Sequence, residues 1–501
     1  MAAYWGLRVS NRRVLNTAYA SLGVYVEYLL GLVASILIAR ALQPADMGVY
    51  GLLVWICATG VVVANAGITL AAIKFVAELR GAGHETLVGV LMQRLRRLQR
   101  VTLCGVLAAL VIILLLSHQR LVPGVAWMPL ALMLLSLALR APYMLNVALL
   151  KGREDFRSTA IIAGLGAIAN LAMVLALIWA DAATLRNFLA VYALSSLLFW
   201  GLSQWRATPS GQAATSATLP ADMEARLRHH LRIVAFTSIV GTIGSGELEL
   251  LPITLFATAA DAGLFKVASA LASGAALLVP GVLSAQLLPM MAHARGHGQG
   301  EAEFRFVATT TWLVMLGAPL VAFGFVHAST LIPWLYGSAY APAGAVFAAL
   351  LVARTASVIG QGATAYLLSA DRQKGLMQLT VLFTLLRLVF IFMAAWAYGL
   401  WGAVTATVVL ALLGSASTIA MALRVAKARL PMLRLLRILA AAAVPALACL
   451  SVRALPPFWM LCAGATIFAI GYPLALWVLR GLEPGEVDVV RGWLRRLRRT
   501  V

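Results

Sequence analysis

The sequence predicts an all-α polytopic membrane protein of about 14 transmembrane helices, arranged as two pseudo-symmetric six-helix bundles with a C-terminal helix pair. Three observations predict it. Hydrophobic residues fill 62% of the 501 positions and charged residues only 11%, a balance that would leave a soluble globule with a mostly apolar surface. Apolar segments of roughly 20 residues, the length a helix needs to cross the hydrocarbon, recur from end to end. The basic residues between them alternate in density: with the N-terminus inside, 30 Lys and Arg fall in cytoplasmic segments and 4 in outside ones. Both termini are therefore expected in the cytoplasm.

In chain order, the first apolar segment covers 14–39. It is too long for a signal-peptide core and lacks a convincing cleavage site, so it is expected to be retained as a helix. Five more follow near 47–73, 101–117, 124–149, 158–180 and 184–204. Residues 208–223 are polar, small and proline-bearing, which reads as a flexible linker. The second set lies near 231–256, 262–291, 304–327, 344–369, 375–397 and 400–423, and a last pair near 436–453 and 457–479. The domain reading is then an N-terminal bundle (1–205), a cytoplasmic linker with an interfacial segment (206–230), a second bundle (231–424), the extra pair (425–480) and a basic amphipathic tail (481–501). Leu87, Leu91, Leu95 and Leu98 form a stripe beside Arg94, Arg96, Arg97 and Arg100. Val487, Val490, Leu494 and Leu497 do the same beside Arg491, Arg495, Arg498 and Arg499. Both are expected as helices anchored on lipid head groups. Gly241, Gly244 and Gly246, followed by Pro252, predict a kink in the seventh span. Trp5, Trp127, Trp205, Trp334 and Trp401 fall near span ends, as an aromatic belt requires.

The net charge of +21 does not indicate nucleic acid, because the basic residues sit in short runs between spans rather than on one soluble face. Cys57, Cys104, Cys449 and Cys462 lie in apolar stretches without CxxC spacing and read as packing residues, not metal ligands. Asn146, Asn170 and Gln361 read as inter-helix glue. Outside loops are a dozen residues or so at most, leaving no room for a catalytic domain, and neither a Gly-rich nucleotide loop nor HExxH occurs. The chain reads as a non-enzyme.

One pattern repeats. Residues 45–50, Ala-Asp-Met-Gly-Val-Tyr, return as 260–265, Ala-Asp-Ala-Gly-Leu-Phe, with Asp, Gly and aromatic in register and both copies at a junction between apolar segments. The chain is read as two copies of one unit, offset by the 215 residues between Asp46 and Asp261.

Residues 40–50, Arg-Ala-Leu-Gln-Pro-Ala-Asp-Met-Gly-Val-Tyr, resemble the Arg-x-Leu-Gly-Pro-x-x-x-Gly-x-Tyr junction of the Wzx-type polysaccharide-biosynthesis flippases. That branch belongs to the superfamily that also holds multidrug exporters and lipid II flippases. Asn65-Ala-Gly followed by Ile73-Lys-Phe resembles the family's Asp-x-Gly segment with its trailing base, and 149–156 resembles the loop closing its fourth helix. Glu249 falls where the family tends to carry an acid on its seventh helix. Gln43 replaces a Gly, Asn65 replaces the Asp, and the second junction lacks the Arg and Pro. The resemblance covers about 14–424. It implies two bundles facing across a V-shaped cavity that rock to expose either side, in a bacterial inner membrane. The implied cargo is an undecaprenyl-pyrophosphate-linked oligosaccharide destined for O-antigen, capsule or exopolysaccharide. Membrane lipids, a polymerase and a chain-length regulator are the implied partners. No cofactor is implied beyond a coupling H⁺ or Na⁺.

Charges inside spans are expensive when they face lipid and are functional candidates by default. Arg140, Arg354 and Arg387 lie near mid-span, and the 215-residue offset carries Arg140 to within one residue of Arg354. They are the substrate-binding candidates, since a guanidinium fork holds phosphate oxygens bidentately and keeps its charge when desolvated. The alternative is pairing with the intramembrane acids Glu27, Glu247 and Glu249. Those three are the ion-coupling candidates, with Glu249 first, and a salt bridge closing a gate is their alternative role. On one helix Glu247 and Glu249 would stand about 200° apart and could not both face a cavity. Arg40 is the gate candidate. A multidrug or metabolite exporter of the same superfamily would prefer an acid-rich lumen. A membrane glycan polymerase or glycosyltransferase would carry a long outside loop, absent here.

Overall fold

Hydrocarbon offers no partner to a backbone N–H or C=O, so apolar spans close their hydrogen bonds internally as helices. The computed structural model describes residues 11–207, 219–245, 247–278, 287–288, 290–295 and 299–482, and among them every regular element is helical. The chain divides into two compact units, 1–263 and 264–501. Ten of the described helices are long and apolar enough to cross a membrane. The protein is a multi-pass membrane protein.

The first unit holds α1 (Asn11–Ala41), α2 (Pro44–Ala64), α3 (Ile68–Gly81), α4 (Glu85–Leu121), α5 (Trp127–Gly152), α6 (Phe156–Trp179), α7 (Leu185–Ala207), α8 (Ala221–Ser245) and α9 (Leu250–Phe256). α10 (Ala259–Leu278) straddles the boundary. Between α1 and α2 only Leu42 and Gln43 intervene. Pro44 starts α2, where its missing N–H is one of the unbonded donors of a helix start and its fixed φ suits the first turn. Arg40 is exposed in the last turn of α1, where a cation complements the carbonyl end of the helix.

Two expected spans are interrupted. The second breaks between Ala64 and Ile68, and the seventh between Ser245 and Leu250, with Pro252 in the first turn of α9, where no intrahelical partner is needed. The seventh span therefore breaks ahead of Pro252 rather than kinking at it, and Glu247 and Glu249 lie in the break. The 200° separation expected of them assumed a continuous helix and does not apply.

The middle of the leucine stripe on 87–98 packs against protein, while Leu98 stays exposed. The stripe lies on the N-terminal part of α4, and Leu91 and Leu95 are wholly buried against Phe75, Leu149 and Leu227. A stripe facing a protein neighbour has the same period as one facing head groups, which is why the sequence reading differed. The tail stripe at 487–499, Trp5 and most of the 208–223 linker lie outside the described residues. Among the tryptophans described, Trp127, Trp205, Trp334 and Trp401 are exposed, as a belt requires. Cys57 and Cys449 are buried; Cys104 and Cys462 are surface residues rather than packing ones.

The second unit holds α11 (Gln299–Tyr336), α12 (Ala343–Ser369), α13 (Gln373–Ala426), α14 (Met432–Ala448) and α15 (Pro457–Val478). α13 would extend about 80 Å if straight, more than twice a bilayer core. It is instead two antiparallel arms folded at Gly399, whose φ of 59° and ψ of −136° are not helical. A Cβ placed on Gly375 would meet Met421, one on Gly414 would meet Phe383, and one on Gly402 would meet the Ala394 carbonyl. Those pairs lie nearly equally far from the bend, to within two residues, the signature of a hairpin, so the arms are the two separate spans the hydropathy predicts. Gly399→Ala is expected to cost about 1–3 kcal/mol, because an L-residue at that φ and ψ is strained. An unchanged melting temperature in detergent would contradict this. α14 and α15 dock on α11 through Met315, Ile438, Ala441 and Ala475, fixed by Tyr472 Oη donating to the Met315 carbonyl at 2.6 Å.

Candidate functional site

In the first unit, α5 carries Arg140 at mid-span and α7 carries Tyr192 and Ser196, one helical turn apart on the same face. Arg140 Nε donates to Ser196 Oγ at 2.9 Å, and its guanidinium lies over the Tyr192 ring at 4.2 Å and the Phe199 ring at 5.7 Å. Ser196 Oγ in turn donates to the Tyr192 carbonyl at 2.7 Å. Tyr50 and Cys57 from α2 and Tyr143 from α5 lie within electrostatic reach of the same charge. Glu27, on α1, lies within electrostatic reach of the same charge and, among the described residues, makes no ion pair with it. Among the described residues Arg140 makes no salt bridge, and only its Nε is engaged in a hydrogen bond. No hydrogen bond engages either terminal nitrogen of the fork among the described residues.

At Ala141, the residue after Arg140 on α5, lies a polar knot that the sequence reading did not identify. Asn65 Nδ2, at the α2–α3 break, donates to the Val61 carbonyl at 3.0 Å and to the Ala141 carbonyl at 3.1 Å. Gln99 Nε2 from α4 donates to the same Ala141 carbonyl at 2.8 Å and to Asn65 Oδ1. Both amides are almost fully buried. Buried amides are costly unless satisfied, so the knot fixes α2, α4 and α5 in one register next to Arg140. Asn146 and Asn170 act as inter-helix glue: Asn146 Nδ2 donates to Ser203 Oγ at 3.1 Å and to Gln204 Oε1 at 2.9 Å, and Ser195 Oγ donates to Asn170 Oδ1 at 2.7 Å. Nothing in the sequence separates Tyr192, Ser196 or Gln99 from ordinary span residues, because each is common in helices.

Glu249 is wholly buried at the start of α9, and Glu247, half-buried, lies within electrostatic reach of Tyr28 on α1. The structure thus places Glu27 within electrostatic reach of Arg140 without an ion pair between them, and Glu247 and Glu249 in the α8–α9 break.

In the second unit, Arg354 on α12 donates through Nη2 to the buried Ser269 Oγ of α10 at 3.2 Å, again without a salt bridge among the described residues. The two arginines occupy matching positions but are anchored differently: Arg140 on the last helix of its set, Arg354 on the helix that carries the second motif copy. Arg387 is half-buried on the first arm of α13. A separate apolar cavity of about 450 Å³ is walled by Val321 and Phe325 of α11, Ile359 of α12, Leu412 of α13 and Leu439 of α14.

A polysaccharide biosynthesis protein family model matches residues 37–345, more than half of the chain. The chain belongs to this family. The matched stretch includes both copies of the repeated motif, the polar knot, Arg140, Glu247 and Glu249. No curated protein matches by sequence. Among solved structures, the lipid II flippase MurJ in an inward closed conformation superposes with a TM-score of 0.71 at 12% identity, covering 92% of this chain and 98% of that one. An inward-facing multidrug resistance MATE family transporter of the MOP superfamily gives a TM-score of 0.65 at 13% identity, covering 81% and 98%. A MATE transporter in complex with MaL6 gives 0.55 at 13% identity, covering 83% and 95%. At these identities the likeness establishes the fold: the chain has the fold shared by MurJ and the MATE transporters.

Proposed function

We propose that the protein is a flippase that moves an undecaprenyl-pyrophosphate-linked oligosaccharide across the bacterial inner membrane for surface polysaccharide assembly, by alternating access of its two bundles. The observation that carries this reading is Arg140, a mid-span guanidinium held by a serine hydroxyl and two aromatic faces, with the terminal nitrogens of its fork outside any hydrogen bond among the described residues. A pyrophosphate matches that arrangement, because a planar fork in a low-dielectric site binds two phosphate oxygens and keeps its charge. Arg354, held in the same economical way by Ser269, supplies a second cation, and Arg387 a third. The apolar cavity between α11 and α14 suits a polyprenyl tail. Membership of a polysaccharide biosynthesis family supports a glycan cargo. Arg40, exposed at the end of α1, serves as a gate residue. A polymerase and a chain-length regulator acting on the exported glycan are the partners this cargo requires.

Export against a gradient needs energy, and the buried Glu249 is the group we assign to H⁺ or Na⁺ coupling, with Glu27 and Glu247 in supporting roles. In proteoliposomes, an undecaprenyl-pyrophosphate oligosaccharide is expected to cross several-fold faster under an imposed H⁺ or Na⁺ gradient. Glu249→Gln is expected to remove the acceleration while leaving basal exchange. Gradient-driven efflux of cationic drugs without movement of the lipid-linked glycan would replace this reading with that of a multidrug exporter.

A further inference from the structure

The N-terminal parts of α4 and α8, cytoplasmic in the orientation that the loop charges predict, enclose a cleft of about 890 Å³. Arg97 and Arg100 line it from α4, and Arg228 and Arg232 from α8. All four are exposed, and among the described residues none is paired with a carboxylate. Four like charges facing one cleft repel one another, so the arrangement is stable only where something else holds the walls or an anion fills the space. The walls are held. Arg94 Nη2 of α4 pairs with Glu224 Oε1 of α8 at 2.6 Å, and Arg226 Nη1 of α8 pairs with Glu78 Oε1 of α3 at 2.8 Å. The core beneath is apolar: Leu227 packs with Leu91, Leu95 and Phe75. On both helices the basic run gives way to exposed apolar residues. Arg100 is followed by Val101 at 67% exposure, and Arg232 by Ile233 at 51%, with Phe236 one turn deeper at 56%. The cleft is cationic at its cytoplasmic end and opens directly onto exposed apolar side chains. A soluble anion would use only the first half of that surface; an amphiphile with a phosphorylated head uses both.

We infer that this cleft binds an anionic phospholipid of the bilayer carrying two phosphates and several acyl chains, of the diphosphatidylglycerol type. Basic pockets between helices on the cytoplasmic side recognise such head groups. The Arg97–Arg100 and Arg228–Arg232 pairs, one on each wall, provide one cationic seat per phosphate. The site is separate from the Arg140 cluster, which lies at mid-span and uses a single arginine. Binding here ties α8, which begins the covalent link to the second unit, to the lipid composition of the inner leaflet.

The test uses the full-length chain purified in non-ionic detergent, titrated with diphosphatidylglycerol, phosphatidylglycerol, phosphatidylcholine or inorganic pyrophosphate. Wild type is expected to bind diphosphatidylglycerol at least tenfold more tightly than the other three. The triple variant Arg97→Gln, Arg228→Gln, Arg232→Gln is expected to bind it about a hundredfold more weakly, the loss that removing three near-surface cations implies. Its melting temperature without lipid should be unchanged or higher, because none of the three makes an ion pair among the described residues and their mutual repulsion is relieved. A charge-matched triple elsewhere, Arg424→Gln, Arg429→Gln, Arg437→Gln, should retain binding. Equal loss in the two triples would reduce the effect to general surface charge and overturn the site. Retained affinity in the cleft triple, or pyrophosphate binding as tightly as the lipid, would overturn it as well.

Discussion

Replacing Arg140 with alanine is expected to lower translocation of a pyrophosphate-linked lipid about a hundredfold while leaving the protein folded in the membrane. The magnitude follows from the two bonds a guanidinium fork offers to phosphate. Hydrogen bonds to charged groups contribute about 1.5–3 kcal/mol each, so losing a bidentate pair removes roughly 3 kcal/mol or more, and each 1.4 kcal/mol is a factor of ten. The fold survives because the groups that orient Arg140 are satisfied without it. Ser196 Oγ already donates to the Tyr192 carbonyl, and Tyr192 and Phe199 lose only a cation over their faces, worth about 0.5–2 kcal/mol. Arg140→Lys separates charge from geometry. It keeps the positive charge but has neither the Nε that reaches Ser196 nor a planar fork, so a loss of about tenfold is expected. Translocation per molecule of folded protein, in proteoliposomes, is the deciding measurement. Wild-type rates in Arg140→Ala would sink the cationic-site reading outright. Loss of folded protein without loss of rate per molecule would assign Arg140 a purely structural role.

How much of this was legible in the sequence depended on whether a feature is local. Spans and repeat were legible because the bilayer imposes length and hydropathy on each segment separately. Arg140, Arg354 and Glu27 stood out because a charge inside an apolar span is rare. The helix breaks were not legible in the same way. At 65–67 the chain leaves helical geometry at Gly67, whose φ is 76°, and there Asn65 is bonded to Ala141, 76 positions away, while Gln99 closes the knot from a third helix. No window of sequence contains that information. The leucine stripe on α4 was legible as a stripe but not as a packing face, since period alone does not say what lies opposite. The surroundings of Arg140 were hidden for a related reason: Tyr192, Ser196 and Phe199 lie more than 50 positions from it and are individually unremarkable. The 215-residue offset placed Arg354 correctly on its helix, but the partners of the two arginines diverged because serines, not a repeated motif, select the anchor.

The second large effect is expected at the repeated motif itself, where Gly48→Ala and Gly263→Ala should each destabilise the protein by about 3 kcal/mol or more. The two copies of the motif meet at these glycines within the first unit. A Cβ on Gly48 would lie 1.8 Å from the Ala259 carbonyl oxygen and 2.9 Å from the Gly263 nitrogen. A Cβ on Gly263 would lie 1.9 Å from the Pro44 carbonyl oxygen and 3.0 Å from the Gly48 nitrogen. The contacts are reciprocal at the offset of 215: each glycine sits on the carbonyl four residues before the other, so the two helix starts cross as equivalents. Both obstacles are backbone, and a rotamer change cannot relieve them; even one methyl forces the crossing apart. Close helix approach through small residues is how membrane helices gain packing where no hydrophobic force draws them together. The pattern in the sequence is therefore a mutual contact between Gly48 and Gly263 within the first unit. Gly31→Ala and Gly164→Ala are the controls, since a Cβ at either meets nothing within 4 Å. There alanine should be neutral or stabilising by up to about 1 kcal/mol, the helix-propensity difference. Melting of the detergent-solubilised variants reads the result. If Gly48→Ala and Gly263→Ala melt with the controls, the glycine crossing is wrong.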